Sequence, residues 1–341
     1  MSSVSFLSFF FIFFFFFSSF LLLPEPASSW TGPTAKPGCP TYCGDVLIPY
    51  PFGIGPDCSL NGNFTVTCNG SDGGGQQPKP TLDYHNGSEV VEVNETDLRV
   101  RVRNSWTYSC LGGNQTQVGQ DLSYDVVTPP FSVSSDNWLT GIGCAALAAA
   151  SNKLTGTGTG CLASCPPGTD MMMGNATCMG NGVGCCQTPF NGNSQFNYFT
   201  VSTDYTYSFQ QGNYGVSNCG YAFIGERQPN VTFPLQSLQL EASLQYNATV
   251  RPVTTPIILN WRVGLDNCSD AISSRNYSCQ ANAQCVDVVA EDNAGLGGYL
   301  CQCEVGYTGN PYISPGCTAI DYCASAQDYC ISDSQCVNIP G

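Results

Sequence analysis

Charge is scarce in this chain. Only 10% of its 341 residues are Asp, Glu, Lys or Arg, against about 25% in an ordinary soluble domain. Ten are basic and 25 acidic, a net charge of -15 at pH 7. That balance excludes nonspecific nucleic-acid binding, which needs cations to neutralise phosphates. There is one histidine, His85. Ser-His-Asp and Cys-His catalysis both need a histidine base. His85 lies in a Gly/Asn loop beside a sequon, so it reads as a solvated loop residue rather than a base, and a zinc site is poor for the same reason. The protein-kinase set is missing too: no Val-Ala-Ile-Lys strand behind a Gly-rich loop, no His-Arg-Asp and no Asp-Phe-Gly. The run Gly156-Thr-Gly158-Thr-Gly160 lacks a following Gly-Lys-Ser/Thr and reads as a linker. A glycosidase pair of carboxylates stays open, because acids are present but no local acid motif stands out. The chain is therefore read as a non-enzyme. After Phe6–Leu23, no second apolar run reaches membrane-spanning length.

Cysteine is abundant: 21 residues, far more than a reduced cytosolic protein of ordinary composition carries. The N-terminus supplies the matching compartment. Phe6–Leu23 is almost wholly apolar and is followed by Pro24, Pro26 and the small residues Ala27-Ser28-Ser29. This reads as a secretory signal cleaved after Ser29, so the protein is expected outside the cell or on the outer face of the plasma membrane. Asn-x-Ser/Thr sequons at Asn63, Asn69, Asn86, Asn94, Asn114, Asn175, Asn230, Asn247 and Asn276 are candidate glycan sites that supply the solubility charge does not. Asn267 is set apart, because Cys268 is its middle residue.

Between Cys39 and Cys68, four cysteines bracket a short apolar run. Val46–Ile48 and Phe64–Thr67 read as brief strands, with Pro49 and Pro51 ending the first. Val90–Val102 alternates as strands with a break at Asn94, and Asn197–Phe209 is further strand material. One helix is expected over Gly143–Lys153, on its alanines. The chain is thus expected to be small, disulfide-rich and mainly β, with crosslinks standing in for a large core. Twelve cysteines lie from Cys39 to Cys219, enough for six bridges of unknown connectivity. The neighbours Cys185 and Cys186 are expected to bond different partners, since adjacent side chains of extended chain point apart.

The string Cys-Gly-Asp-Val-Leu-Ile-Pro-Tyr-Pro-Phe-Gly-Ile, Cys43–Ile54, resembles the start of the galacturonan-binding domain of plant wall-associated receptor kinases. Asn137-Trp-Leu-Thr-Gly-Ile-Gly-Cys144, Gly184-Cys-Cys-Gln187 and Cys219-Gly-Tyr-Ala-Phe223 resemble further landmarks of that ectodomain. Cys268, Cys279, Cys285, Cys301, Cys303 and Cys317 resemble an EGF-like module, with Gly309-Asn-Pro-Tyr312 as in the plant receptors. That resemblance implies the pairs Cys268–Cys285, Cys279–Cys301 and Cys303–Cys317. Cys323, Cys330 and Cys336 begin a second such module, and the odd cysteine total is expected of a chain cut short. The expected organisation is a signal peptide over 1–29, a galacturonan-binding cysteine-rich domain over 30–105, a second cysteine-rich β region over 106–262, an EGF-like module over 263–317 and a truncated one over 318–341.

Calcium-binding EGF modules place hard oxygen ligands around the first and third cysteines. In the first module Asp266, Asn267 and Asp287 match incompletely and read as solvated acids. In the second, Asp321 and Asn338 match, and calcium and solvation stand level. No other cofactor is implied.

Two functions follow. The resemblance implies an ectodomain that binds pectin or oligogalacturonides in the cell wall, with a Ser/Thr kinase belonging to a longer form. The alternative is an EGF-type protein-interaction or secreted structural module without sugar affinity. For the first, Arg99, Arg101 and Arg103 alternate with Leu98, Val100 and Val102. On a strand they would form one row, roughly 7 Å apart. Planar guanidinium forks suit a polymer of carboxylates, and Tyr42, Tyr50 and Phe52 are candidates for sugar stacking, Phe52 being as readily a core residue. The opposing reading is an ordinary solvated strand face, its arginines partly paired with Glu89, Glu92 or Glu95.

Overall fold

The structure, a computed structural model, describes residues 34–70, 77–83, 88–94, 97–101, 106–111, 117–120, 122–124, 130–144, 146–152, 158–165, 175–178, 183–190, 199–205, 219–227, 232–234, 256–288 and 297–321. The leader, His85 and the second EGF-like segment from residue 322 lie outside them.

Sheets dominate. The first has seven strands, in the order Phe131–Val133, Ile257–Trp261, Asp97–Arg101, Ser88–Val93, Lys79–Leu82, Thr65–Asn69 and Gly53–Ile54. Six alternate antiparallel neighbours, and Gly53–Ile54 joins Thr65–Asn69 in parallel. Asp97–Arg101 lies in the interior, between Ser88–Val93 and Ile257–Trp261. Residues 30–105 therefore do not close this sheet by themselves; its far side comes from residues 131–133 and 257–261.

One face of the sheet is apolar because its strands alternate with period 2. Val66, Leu82, Val90, Phe131, Val133, Ile257, Leu259 and Trp261 are all buried. Against them sit Phe52, from the Pro-Tyr-Pro-Phe-Gly turn, and Phe64, both fully buried. Phe52 meets Phe64 edge-on at 5.1 Å and Trp261 at 5.5 Å, the geometry favoured by ring quadrupoles. Trp261 also touches Tyr312 of the EGF-like module, with ring centroids 5.9 Å apart. Phe52 is thus core.

A five-stranded sheet (Cys185–Pro189, Asn137–Ile142, Cys219–Glu226, Trp106–Leu111, Gln117–Gln120) packs on a four-stranded one (Leu122–Tyr124, Phe199–Tyr205, Ala146–Asn152, Gly158–Ala163). Here the structure corrects two expectations. Residues 143–153 are not helical: Ala146–Asn152 is a strand, and Gly158–Ala163 of the supposed linker pairs with it. Ala146, Ala148 and Ala150 are buried while Leu147 between them is exposed. Close sheet packing, served by small side chains with period 2, overrides the helix preference of alanine. The expected strands at 46–48, 64–67, 90–102 and 197–209 correspond to Val46–Leu47, Thr65–Asn69, Ser88–Val93 with Asp97–Arg101, and Phe199–Tyr205.

Eight disulfides are described. Cys39–Cys58 and Cys43–Cys68 staple the first segment. Cys144–Cys165, Cys161–Cys186 and Cys178–Cys185 staple the middle sheets, so Cys185 and Cys186 bond different partners as the extended chain requires. Cys268–Cys285, Cys279–Cys301 and Cys303–Cys317 follow the EGF-like pairing. That module opens with a short helix, Cys268–Ser274, which the sequence reading missed. Its capping residue is Asn267, whose carboxamide oxygen accepts from the Asp270 amide at 2.8 Å.

The EGF-like module is bonded to the first segment. The Asn310 carboxamide, buried, donates to the Tyr50 carbonyl at 2.9 Å and accepts from the Tyr312 amide at 2.9 Å. The Tyr312 hydroxyl accepts from the Cys301 amide at 2.7 Å. The Gly309-Asn-Pro-Tyr312 turn is therefore a plug into the core beneath the Pro-Tyr-Pro-Phe turn.

Candidate functional site

The polar face of the seven-stranded sheet is the site to consider, because its opposite face is committed to the core. Thr67, Asn69, Lys79, Thr81, Glu89, Glu92 and Asn260 carry it, all partly or fully exposed. They are tied into a ladder. The Thr81 hydroxyl donates to the Thr67 carbonyl at 3.2 Å, and the Asn69 carboxamide donates to the Thr81 hydroxyl at 3.1 Å. Lys79 pairs with Glu89 at 3.3 Å. Its ammonium is well exposed, so the pair adds ~0–1 kcal/mol and remains open to exchange for another anion.

Backbone register extends the ladder. Arg101 stands opposite Glu89, and Arg99 stands opposite Glu92 on one side and Ile258 on the other. Leu98 and Val100 stand opposite Val93 and Val90, both buried. So two of the three predicted arginines occupy register positions beside acids, on an interior strand; Arg103 lies outside the described residues.

The two predicted tyrosines part company. Tyr42 is 61% exposed. Tyr50 is 7% exposed, its ring covered by the Lys36 ammonium 5.0 Å from the centroid. Burial pushes its phenol above the ordinary range. Tyr50 is thus a core residue and offers no ring face for sugar stacking, which corrects that expectation. The sequence did not distinguish the two, because burial of Tyr50 depends on contacts with residues 36 and 310.

Beside the Lys79–Glu89 pair lies a cleft of about 560 Å³, lined by Asp45, Val46, Gln77, Pro78, Lys79, Pro80, Glu89, Val90 and Val91. Its shape depends on Gly44, at φ +60°, where a Cβ would lie 2.4 Å from the Pro78 carbonyl oxygen. Glycine in the Cys-Gly-Asp-Val string lets the two loops meet.

For calcium, the Asp287 carboxylate accepts from the Cys268 amide and Asn267 caps the helix, so both are engaged within the fold. Asp321 is exposed and Asn338 is outside the described residues. Among the described residues no group of three His, Cys, Asp or Glu side chains comes together to hold a metal. Among the sequons, Asn69 and Asn276 are exposed and Asn63 and Asn94 half-buried. Asn86, Asn114, Asn230 and Asn247 are outside the described residues, and of Asn175 only the backbone, in the strand Asn175–Thr177, is described.

Comparison with known proteins bears on this face directly. Residues 39–104 match the wall-associated receptor kinase galacturonan-binding family, and residues 273–311 match the EGF-like domain. The chain is a relative of the wall-associated receptor kinases. It is 30% identical to wall-associated receptor kinase 3 of Arabidopsis thaliana, with 89% of this chain and 38% of that protein covered. It is 29% identical to wall-associated receptor kinase 4 over 89% and 38%, and 25% identical to wall-associated receptor kinase-like 17 over 89% and 41%, both of Arabidopsis thaliana. The chain thus spans less than two fifths of the length of the first relatives. No solved structure matches. Among the described residues, no helix is long and apolar enough to cross a membrane.

Proposed function

We propose that this chain is the extracellular, wall-facing part of a wall-associated receptor kinase-type protein, and that it binds the carboxylates of pectic galacturonan. The observation that carries this reading is the galacturonan-binding match over residues 39–104. Those residues supply five strands of the seven-stranded sheet, including the one that bears Arg99 and Arg101. Eight disulfides support an oxidising compartment outside the cell.

The physical case is local. The chain is acidic overall and repels a polyanion at long range. Screening reduces that repulsion beyond about 8 Å at physiological salt, so a row holding Lys79, Arg99 and Arg101 beside exchangeable acids decides the contact. Residues 30–105 and 106–262 act as sequence segments of one sugar-binding unit, followed by the EGF-like module, which adds a surface for extracellular protein partners. The kinase belongs to a longer form, and the candidate glycans sit on the exposed sequons.

The test uses the secreted ectodomain entire, because a cut after residue 260 would remove Trp261 from the core. Binding to de-esterified oligogalacturonide is measured at low and high salt, for wild type and the Arg99→Gln/Arg101→Gln/Arg103→Gln variant. Binding that weakens with salt and at least tenfold in the folded variant is expected. A folded wild type that ignores the oligomer overturns the reading in favour of an EGF-type interaction module without sugar affinity. Equal binding by the variant removes the arginine row.

A further inference from the structure

A second cation outside the matched segment is built to meet a carboxylate. Trp138 lies on the strand Asn137–Ile142, with Pro189 opposite it on one side and Gly225 on the other. Gly225 carries no side chain, so the space across from the indole is left to Arg227, two residues further on. The Arg227 guanidinium carbon sits 4.3 Å from the Trp138 ring centroid. Stacking fixes the plane of a guanidinium while leaving its N–H edge to other partners.

That edge is unspent. Arg227 is exposed, and its side chain makes no hydrogen bond or ion pair with a described residue. Other cations are committed: Lys36 donates to the Asp57 and Ser59 carbonyls, Lys79 pairs with Glu89, and Arg262 is buried. In a chain with only ten basic residues, an exposed, ring-held guanidinium with free donors is a place for an anion.

Its position joins it to the first sheet. Asn137, the neighbour of Trp138, donates from its carboxamide to the Ile258 carbonyl at 2.8 Å and accepts from the Ile258 amide at 2.9 Å. Ile258 is the register partner of Arg99. The Glu226 amide, next to Arg227, donates to the Pro256 carbonyl at 2.8 Å. The Trp138 and Arg227 backbones thus lie beside the strand Ile257–Trp261, which separates them from the arginine strand; at ~5 Å per strand the offset is on the order of 10–15 Å.

We propose that Arg227, positioned by Trp138, binds the carboxylate of a uronic acid residue and carries an acidic polysaccharide from the first sheet onto the second. The inference rests on the galacturonan reading above. The fork of Arg227 donates two parallel N–H bonds to the two carboxylate oxygens, a geometry that lysine cannot reproduce. Trp138 acts through Arg227 and need not touch the sugar.

The test titrates the secreted ectodomain with a de-esterified oligogalacturonide and with its fully methyl-esterified counterpart, at low salt. Arg227→Gln should weaken binding of the acid oligomer about tenfold and leave the ester unchanged, with melting temperature retained, since Arg227 bonds no described neighbour. Arg227→Lys should recover little. Trp138→Leu should also lower the acid-to-ester preference, and Trp138→Phe should retain most of it, a pattern that a merely structural tryptophan would not give. If wild type binds the acid oligomer and Arg227→Gln binds it equally well, or loses acid and ester alike, the Arg227 site is overturned while the galacturonan reading stands. If wild type binds neither oligomer, both fall.

Discussion

Replacing Asn310 tests whether the EGF-like module is a separate bead or part of one core. Asn310 is 2% exposed and makes two bonds at once, to the Tyr50 carbonyl and from the Tyr312 amide. Asn310→Ala removes both partners and leaves a buried donor and a buried acceptor. Each such orphan costs ~1–3 kcal/mol. The alanine variant no longer desolvates a carboxamide, which offsets part, so a loss of about 2–4 kcal/mol is expected. In a folded unit of this size 1 kcal/mol corresponds to roughly 2–4 °C, placing the drop near 5–12 °C. Asn310→Asp keeps the acceptor for Tyr312 but turns an oxygen toward the Tyr50 carbonyl and buries a charge, so it should cost more than alanine. The assay is calorimetry of the disulfide-intact ectodomain, where a single transition that moves as a whole is expected. An Asn310→Ala protein melting within about 2 °C of wild type would refute the argument, as would two transitions of which only the smaller moves.

Three more outcomes are expected. Of the twelve cysteines from Cys39 to Cys219, ten are bridged among themselves, and the two remaining, Cys110 and Cys219, are register partners on adjacent strands; non-reducing peptide mapping should find them joined, and a free thiol at either would contradict this. At Gly141 an added Cβ would lie 2.7 Å from the Ala148 Cβ and 2.9 Å from the Cys186 sulfur, so Gly141→Ala should destabilise by ~1–3 kcal/mol in denaturant unfolding. Burial raises the Tyr50 phenol, and burial and then Tyr299 raise that of Tyr277. A raised folded value means stability is fully present below the unfolded phenol value near 10 and is lost as pH rises past it. Tyr50→Phe should flatten this alkaline loss in a melting profile taken across that window.

What the sequence made legible was local. Short-range alternation located the strands Ser88–Val93 and Phe199–Tyr205, and the opposed directions of neighbouring residues on extended chain separated Cys185 from Cys186. What misled was a propensity argument applied where packing decides. Ala146–Asn152 is alanine-rich, as a helix would be, yet its alanines are small because two sheets close over them, which is a property of partners far along the chain. Tyr50 failed for the same reason. Its aromatic ring and its place in a turn suggested a stacking platform, but Lys36 and Asn310 close over that turn from 14 residues before and 260 residues after.

The candidate site divides along the same line. An alternating Arg-x-Arg run is visible in any strand, so Arg99 and Arg101 were legible. Their central place in the sheet was not, because the strand on one flank, Ile257–Trp261, arrives from more than 150 residues away. Arg227 was invisible for a related reason. Nothing near it in sequence marks it, and its meaning comes from the glycine opposite Trp138 and from the absence of a described partner. The same long closure governs how the protein can act. The strand Ile257–Trp261 leads directly into the EGF-like module, and Trp261 touches both Phe52 and Tyr312. A ligand that tightens the first sheet therefore acts on a core shared with the EGF-like module. Signal passing along the chain is then expected to travel through packed aromatic contacts rather than through a flexible linker, which makes Trp261 and Asn310 the positions where binding and downstream orientation are coupled.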